Sequence, residues 1–211
     1  MNVIQIIKGI IRGQSLVRIL MNESLSEVII DGKVLDVGGA RSPDYFNFLK
    51  KKGDVDIDVV DGSIQEINFE KDPLPYISEA YKTIIVCNVL EHVFNHEFLT
   101  REMFRVLKKE GSLVGFVPFF VQYHPDPHDY FRYTKESLIK ILGNVGFVGV
   151  CVREIGGGPF FVSFNTVMLS IPRVFRALIF PVFLFLDRIF LWFRPCARER
   201  FPLGYLFLAK K

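Results

Sequence analysis

The sequence predicts a mixed α/β fold in which a mostly parallel central sheet is flanked by helices. Three short apolar runs that end at acidic or small residues are typical of buried parallel strands, at 34–37, 55–60 and 83–87. Segments with helical spacing of apolar residues, such as 102–109, alternate with further apolar runs. This alternation is typical of doubly wound sheets, whose ligands bind at the carboxyl ends of the strands.

The sequence of residues 1–24 predicts a basic amphipathic helix. Lys8, Arg12 and Arg18 interleave with isoleucine and leucine, which is unlike the uninterrupted apolar core of a signal peptide. We expect this helix either to pack over the fold or to contact a membrane surface.

The first predicted strand carries an acid and then breaks into glycine, with the sequence Val-Leu-Asp-Val-Gly-Gly-Ala at 34–40. Glycine lets the backbone approach a ligand closely, and the amides of such a turn attract anionic groups. The second and third glycines of the dinucleotide fingerprint are absent at their places, which disfavours a nicotinamide-dependent oxidoreductase. An ordinary strand turn is the alternative interpretation.

The alternation continues past the third strand. A helix, a strand, a second helix and a second strand are predicted at 102–109, 112–117, 138–142 and 148–152. These elements complete a predicted domain of residues 25–155, with the crevice at the carboxyl ends of its strands.

Composition fits a globular protein with a sizeable core. The chain has 211 residues, of which 50% are hydrophobic and 23% charged. The three cysteines, Cys87, Cys151 and Cys196, are isolated, so neither a disulfide framework nor a zinc ribbon is indicated. We therefore expect a cytoplasmic protein.

Three motifs resemble those of class I S-adenosylmethionine-dependent methyltransferases of the small type 11 kind: Leu-Asp-Val-Gly-Gly at 35–39, Leu-Pro-Tyr at 74–76 and Asn-Val-Leu-Glu-His at 88–92. The resemblance covers about residues 30–150. The stretch 124–134 resembles one in methyltransferase-like proteins that are encoded with bacterial surface-polysaccharide genes. These resemblances imply a Rossmann-like fold and S-adenosyl-L-methionine as cofactor.

The resemblance also implies which residues contact the cofactor. Asp36, Gly38 and Gly39 are expected beside the methionine part. Asp58 is expected to accept hydrogen bonds from both ribose hydroxyls, because a carboxylate can do so near a strand end. Two neighbouring acids, Asp56 and Asp61, remain alternatives for the ribose.

The adenine side and the methyl group have their own candidates. Glu70 is expected near adenine, and Asn68 or Asp72 takes this role if the loop is shifted. Asn88 is expected close to the methyl group, at the end of its strand. Glu91 and His92 are expected at the beginning of the next helix. They either cap that helix or contact a ligand.

The stretch 124–134 provides candidates for catalysis. One imidazole, of His124 or His128, is expected to take a proton from the acceptor, with Asp129 orienting it. The prolines at 125 and 127 keep the two histidines from facing one way on a helix, so no metal site is predicted. The alternative is a rigid brace on the sheet. The acceptor pocket is expected to be shaped by the side chains that follow: Tyr130, Arg132 and Tyr133.

The sequence of residues 156–211 predicts a hydrophobic and basic helical extension that follows the domain. Residues 151–211 contain nine Lys or Arg and three Asp or Glu, a formal net charge of +6. Drawn as one helix, 173–194 gathers its charged residues into a sector of about 120° and leaves the rest apolar. The charges interrupt the apolar run, so a membrane-spanning helix is disfavoured.

We expect this extension to contact an anionic membrane peripherally, at the inner face of the cell membrane. A subdomain packed on the sheet or a homodimer would hide the same residues. Nucleic-acid binding is disfavoured because the basic residues lie within aliphatic sequence.

The sequence thus predicts an S-adenosylmethionine-dependent methyltransferase that acts by in-line methyl transfer. The expected acceptor is a small molecule or a glycan or glycolipid. The alternative is a noncatalytic subunit of a membrane-associated assembly with the same fold.

Overall fold

A computed structural model of the chain describes residues 3–39 and 44–211. A six-stranded sheet forms its centre, in the order β2-β1-β3-β4-β6-β5. The strands are β1 (Ile29–Val37), β2 (Lys50–Val60), β3 (Tyr81–Cys87), β4 (Leu107–Pro118), β5 (Val148–Gly156) and β6 (Pro202–Lys210). The first four are parallel to one another, and β6 runs antiparallel to both of its neighbours. The predicted mixed α/β fold with a mostly parallel sheet is confirmed.

Seven α-helices flank the sheet in the described parts of the chain. They are α1 (Val3–Ile11), α2 (Leu16–Leu25), α3 (Gly62–Gln65), α4 (His96–Val106), α5 (Lys135–Val145), α6 (Pro159–Val167) and α7 (Arg173–Phe193). Short 3-10 turns at Asp44–Asn47, Leu90–His92, Met168–Ser170 and Pro195–Arg200 connect them.

Two predicted helices have different bounds in the structure. The N-terminal segment forms two helices, α1 and α2, because the chain turns at Gly13, whose φ of 86° favours glycine. Ser15 then caps α2 by accepting a hydrogen bond from the backbone of Arg18. The helix predicted at 102–109 ends at Val106, since Leu107 pairs with Tyr81 in the sheet and its side chain is buried there.

The predicted division at residue 155 is corrected by the last strand. Residues 202–210 form β6, which lies inside the sheet between β4 and β5. Apolar side chains fill this strand, and Leu203 and Phe207 have no exposed surface. The segment 156–211 is therefore not an appendage as a whole, because its last strand belongs to the central sheet.

The helices of the segment before β6 pack against the N-terminal helices. Phe161, Phe164 and Phe180 share a core cluster with Ile6 and Ile10, and all five are buried. Within the described residues, no helix combines the length and apolar character needed to cross a membrane.

Candidate functional site

Two adjoining cavities lie at the carboxyl ends of β1, β2 and β3. The register brings these ends together, because Val37 pairs with Val60 of β2 and with Val86 of β3. The first cavity has a volume of about 620 Å³ and the second about 520 Å³. Both are of the size of small-molecule sites. Four residues line both cavities: Gly38, Asn88, His92 and Asp126.

The turn after β1 brings backbone close to both cavities. Gly38 has a φ of 76°, and a Cβ there would lie 2.3 Å from a methyl group of Val89. A Cβ on Gly39 would lie 1.7 Å from a carboxylate oxygen of Asp36. Neither position therefore accepts a side chain without rearrangement. Residues 40–43, which include Ala40 of the predicted motif 34–40, lie outside the described part of the chain.

Asp36 lies beneath this turn and does not line either cavity. Its side chain is fully buried, and the Tyr45 hydroxyl donates to its two oxygens at 2.6 and 2.7 Å. Burial raises the pKa of Asp36 to about 7, against the lowering effect of the Tyr45 hydrogen bond. Asp36 was predicted to contact the methionine part of the cofactor. In the structure it lies under the glycine turn and binds Tyr45.

The acids at and after the end of β2 have different surroundings, which bear on the choice between Asp58 and Asp61 for the ribose. Asp58 is paired with Lys33 at 2.9 Å and accepts a hydrogen bond from Tyr81 at 2.7 Å, away from both cavities. These two partners lower the pKa of Asp58. The strand extends to Val60, so Asp61 is the first residue beyond its end and lines the first cavity.

The loop after α3 forms a further part of the first cavity. Ile67, Asn68, Phe69 and Glu70 line it and combine apolar and polar surface. The Glu70 carboxylate accepts a hydrogen bond from the backbone of Phe94 at 2.9 Å. The other predicted alternative here, Asp72, accepts instead from the backbone of Asn68.

Asn88 connects the two cavities. Its φ of 54° lies in the left-handed region, which asparagine tolerates better than most residues. The backbone N–H donates to the carbonyl of Phe116 at 2.9 Å, and the side-chain amide contacts the sulfur of Met21 at 3.4 Å. Asn88 follows directly after the end of β3, as predicted, and the expected closeness to the methyl group stays a prediction.

The stretch 124–134 is braced by an ion pair. Arg132 donates to Asp129 through two nitrogens, one of them at 2.7 Å, and Asp129 also accepts from the backbone of His124 at 2.9 Å. Arg132 is the main cause that holds the pKa of Asp129 well below its usual range. Asp129 therefore orients His124 through the loop backbone.

Three ionisable groups converge where this stretch meets the turn Leu90–His92. His92 Nε2 lies 3.7 Å and His124 Nε2 lies 3.9 Å from Glu91 Oε1. The two imidazole rings meet edge to face, with centroids 5.2 Å apart. The Glu91 carboxylate raises the pKa of His124 above its ordinary value. His124 lines the second cavity, and His92 lines both.

The other residues predicted in this stretch divide into two groups. His128 and Tyr130 line the first cavity, and their rings lie 5.2 Å apart. Tyr133 is buried in the core, where its hydroxyl donates to the Leu90 carbonyl at 3.0 Å. The guanidinium of Arg132 forms the ion pair with Asp129. Arg132 and Tyr133 thus support the site from behind and do not line the cavities, which corrects their predicted position.

Tyr45 and Arg18 are among the residues of the second cavity that were not predicted. Tyr45 follows the glycine turn, and Arg18 lies on α2. The interleaved cations of the N-terminal segment gave a signal for Arg18, but no local pattern indicates which helix face meets the sheet. Tyr45 had no signal, because its partner Asp36 lies nine positions earlier on a different element.

Comparison with known proteins supports the predicted class. Residues 41–115, 75 of the 211 in the chain, match a family profile described as a methyltransferase domain. No curated protein matches the sequence significantly.

Solved structures share the fold. A SAM-dependent methyltransferase from Archaeoglobus fulgidus is 15% identical with a TM-score of 0.51, and the alignment covers 92% of this chain and 94% of that one. The [4+2]-cyclase SpnF is 15% identical with a TM-score of 0.53, covering 93% and 81%. Phosphoethanolamine N-methyltransferase 2 from Haemonchus contortus, solved with S-adenosyl-L-methionine, is 12% identical with a TM-score of 0.52, covering 90% and 52%.

The sequence identities to these structures are below 25%, so the comparison establishes the fold alone. A cyclase is among them, so the fold by itself does not specify the reaction. Together, the domain match and the fold support a class I methyltransferase with S-adenosylmethionine as its cofactor.

Proposed function

We propose that this protein transfers a methyl group from S-adenosylmethionine, bound in the first cavity, to an acceptor in the second cavity. The observation that carries the proposal is the adjacency of two cavities that share Gly38, Asn88 and His92. In-line transfer needs donor and acceptor on opposite sides of one methyl carbon, and adjoining cavities supply that arrangement. Alignment of this kind can contribute roughly 7–11 kcal/mol to catalysis.

The cofactor is proposed to lie along the first cavity from the glycine turn to the loop after α3. Gly38 and Asn88 would border the methionine part and the sulfonium. Asp61 would accept hydrogen bonds from the ribose hydroxyls, in place of Asp58. Phe69 and Glu70 would contact the adenine, one through its ring and the other through polar atoms.

The acceptor is proposed to react through a hydroxyl group. Its oxygen forms a bond to the methyl carbon while the carbon–sulfur bond breaks, which leaves S-adenosylhomocysteine. The proton of the hydroxyl goes to Nε2 of His124. This nitrogen is open to the second cavity because Nδ1 of the same ring hydrogen-bonds to the Gln122 carbonyl at 2.9 Å.

We propose a small-molecule acceptor and, within that class, a glycan or glycolipid intermediate. Arg18 and His124 give the second cavity hydrogen-bonding groups suited to a hydroxylated ligand. The resemblance of 124–134 to polysaccharide-associated methyltransferase-like proteins is the reason for the narrower choice. The alternative function, a noncatalytic subunit of a membrane-associated assembly, predicts a folded protein that does not bind the cofactor.

Calorimetric titration with S-adenosylmethionine and S-adenosylhomocysteine tests the proposal. Gly38→Arg fills the shared border of the cavities and is expected to abolish binding. Asp61→Asn keeps a side-chain oxygen that can cap α3, but it removes the charge, and we expect binding at least about tenfold weaker. Asp58→Asn is the matched control, because this acid lies outside the cavities, and its affinity should equal that of the unmodified protein.

The outcomes separate the two functions. Failure of the folded, unmodified protein to bind either ligand favours the noncatalytic subunit. Equal weakening by Asp58→Asn and Asp61→Asn would reject the proposed position of the ribose. Circular dichroism of each variant verifies that the fold is retained.

The membrane contact is proposed to use the outer face of α7. Apolar side chains on this face recur at helical spacing and are exposed, up to 78% for Trp192 and 73% for Val174. The opposite face packs on the protein, with Phe180, Leu184 and Asp187 buried. The outer face consists of Val174, Phe175, Leu178, Val182, Phe185, Leu186, Ile189, Trp192 and Phe193.

Charge favours an anionic membrane as the partner of this face. Exposed arginines border it or follow it in the chain, at Arg173, Arg188, Arg194, Arg198 and Arg200, and the exposed acid of this segment is Glu199. Two copies that paired through this face would bring like charges together, whereas lipid phosphates would attract them. A helix of 21 residues, about 31 Å long, suits a position in the plane of the interface.

Flotation with vesicles tests the membrane proposal. The full chain is expected to float with vesicles of phosphatidylcholine and phosphatidylglycerol, and not with phosphatidylcholine alone. Leu178→Glu with Phe185→Glu should abolish flotation. Ile77→Glu is the control, because Ile77 is 80% exposed and belongs to a different part of the surface. Unchanged flotation of the double variant would reject the proposal, and a dimer that dissociates in this variant would assign the face to a second copy.

A further inference from the structure

We propose that Glu91, His92 and His124 bind a divalent transition-metal ion at the junction of the two cavities. The inference deepens the proposed function, because an ion at this position would contact the acceptor. The sequence did not predict a metal site, since it considered His124 together with His128 and Asp129. The structure brings a different set together, in which Glu91 is central.

The ligand atoms converge, at separations somewhat larger than those around a bound ion. His92 Nε2 and His124 Nε2 lie 3.7 and 3.9 Å from Glu91 Oε1, and all three atoms lie within 4.8 Å of one another. An ion with tetrahedral bonds of about 2.1 Å holds its ligands about 3.4 Å apart. The two nitrogen–oxygen separations exceed this value by about 0.3 and 0.5 Å and the third separation by at most about 1.4 Å, so binding requires the two imidazoles, which line the cavities, to approach Glu91 and each other.

The hydrogen bonds of the two imidazoles leave the correct nitrogens available. His92 Nδ1 bonds to the carbonyl of His128, and His124 Nδ1 bonds to the carbonyl of Gln122. A carbonyl accepts only, and the Gln122 contact of His124 Nδ1 is shorter than the 3.4 Å contact of this atom with Arg132, so each Nδ1 is assigned the proton. In the neutral form of each ring, the lone pair of Nε2 then faces Glu91. Metal-binding histidines have this arrangement, in which one nitrogen binds the metal and the other donates to a backbone carbonyl or a carboxylate.

The Glu91 carboxylate lacks a partner of its own. Its side chain has no exposed surface, and neither oxygen has a hydrogen-bond partner among the described residues. Burial of an unpaired carboxylate is costly, and a cation offsets that cost. Hydrogen bonds hold the backbone of Glu91 in place, because its carbonyl accepts from the backbone N–H groups of Tyr130 and Phe131.

Two neutral imidazoles and one carboxylate suit ions such as Zn²⁺. Three protein ligands leave a position open for the acceptor, on the side where His92 and His124 line the second cavity. An ion held by these three residues would supply Lewis-acid chemistry, lowering the pKa of an acceptor hydroxyl bound to it. In that form of the protein, His124 would be a ligand and the ion would take over its proposed role of activating the acceptor.

Metal content tests the inference without an activity measurement. The full chain is incubated with Zn²⁺, dialysed and analysed for zinc, and Co²⁺ is titrated while its visible absorption is recorded. We expect one ion per chain. Glu91→Gln and His124→Gln should each weaken binding more than about 100-fold, since loss of even an indirect contact to a metal costs 10–100-fold. His96→Gln is the matched control, because His96 lines neither cavity, and its metal content should not change.

Titration of the unmodified chain with S-adenosylmethionine, before any zinc is added, separates this inference from the proposed function. A folded chain that binds the cofactor but retains no stoichiometric zinc overturns the metal site and leaves His124 as the base. Equal zinc content in Glu91→Gln and in the unmodified chain also overturns it.

Discussion

Replacement of Asp36 by asparagine is expected to change how stability depends on pH. Burial raises the pKa of Asp36 to about 7 from an ordinary value of 3.8. The folded protein thus binds this proton more tightly than the unfolded chain does. The resulting contribution to stability is full below about pH 4 and is lost as the pH rises to about 7. At about 1.36 kcal/mol for each pKa unit, the whole effect is about 4 kcal/mol.

Urea denaturation of both proteins between pH 5 and pH 8 measures this effect. Over that range the unmodified protein should lose about 3 kcal/mol relative to Asp36→Asn, because asparagine does not ionise. Asp58→Asn is the control: the pKa of Asp58 is lowered, so its ionisation does not change above pH 5. Parallel pH profiles of the Asp36→Asn variant and the unmodified protein would refute the assignment of a buried, raised-pKa acid beneath the glycine turn.

Three further substitutions test the surroundings of the site and the core. Tyr45→Phe removes the donor to Asp36 and should cost about 2 kcal/mol at pH 8 but less at pH 5, measured by urea denaturation. Asp187→Ala removes the acceptor of three backbone N–H groups at the start of α6 and should cost about 2–3 kcal/mol in calorimetry, with partial recovery in Asp187→Asn. Gly115→Ala places a Cβ 2.0 Å from the Phe207 ring and should cost about 1–3 kcal/mol in urea denaturation.

Local patterns predicted the ends of the two strands that border the cavities well. The apolar run before Gly38 indicated a buried strand that ends in a ligand-binding turn, and β1 ends at Val37. The strand before Asn88 was predicted for the same reason, and β3 ends at Cys87. In both cases the signal lies within a few residues, since hydrophobicity defines the strand and a residue that tolerates positive φ ends it.

The sequence did not show which acid of β2 lies at the crevice, because strand length depends on distant partners. Acids alternate along β2, and a local pattern does not show which of them is the last before the crevice. Pairing with β1 extends the strand to Val60. Asp58 forms an ion pair with Lys33 and accepts a hydrogen bond from Tyr81. The cluster around Glu91 has the same origin, because His124 reaches it from a loop 33 positions later in the chain.

The last third of the chain shows why composition alone did not predict its structure. Gly156 and Pro202 pair across β5 and β6, so 157–201 is an excursion between two adjacent antiparallel strands. The hydrophobic residues of this region consequently have three separate environments. Those of β6 fill the sheet, and those at positions such as Phe164 and Phe180 cover α1. The outer face of α7 is the part that these contacts leave exposed, and the membrane proposal therefore depends on this face and not on the overall apolar content of the segment.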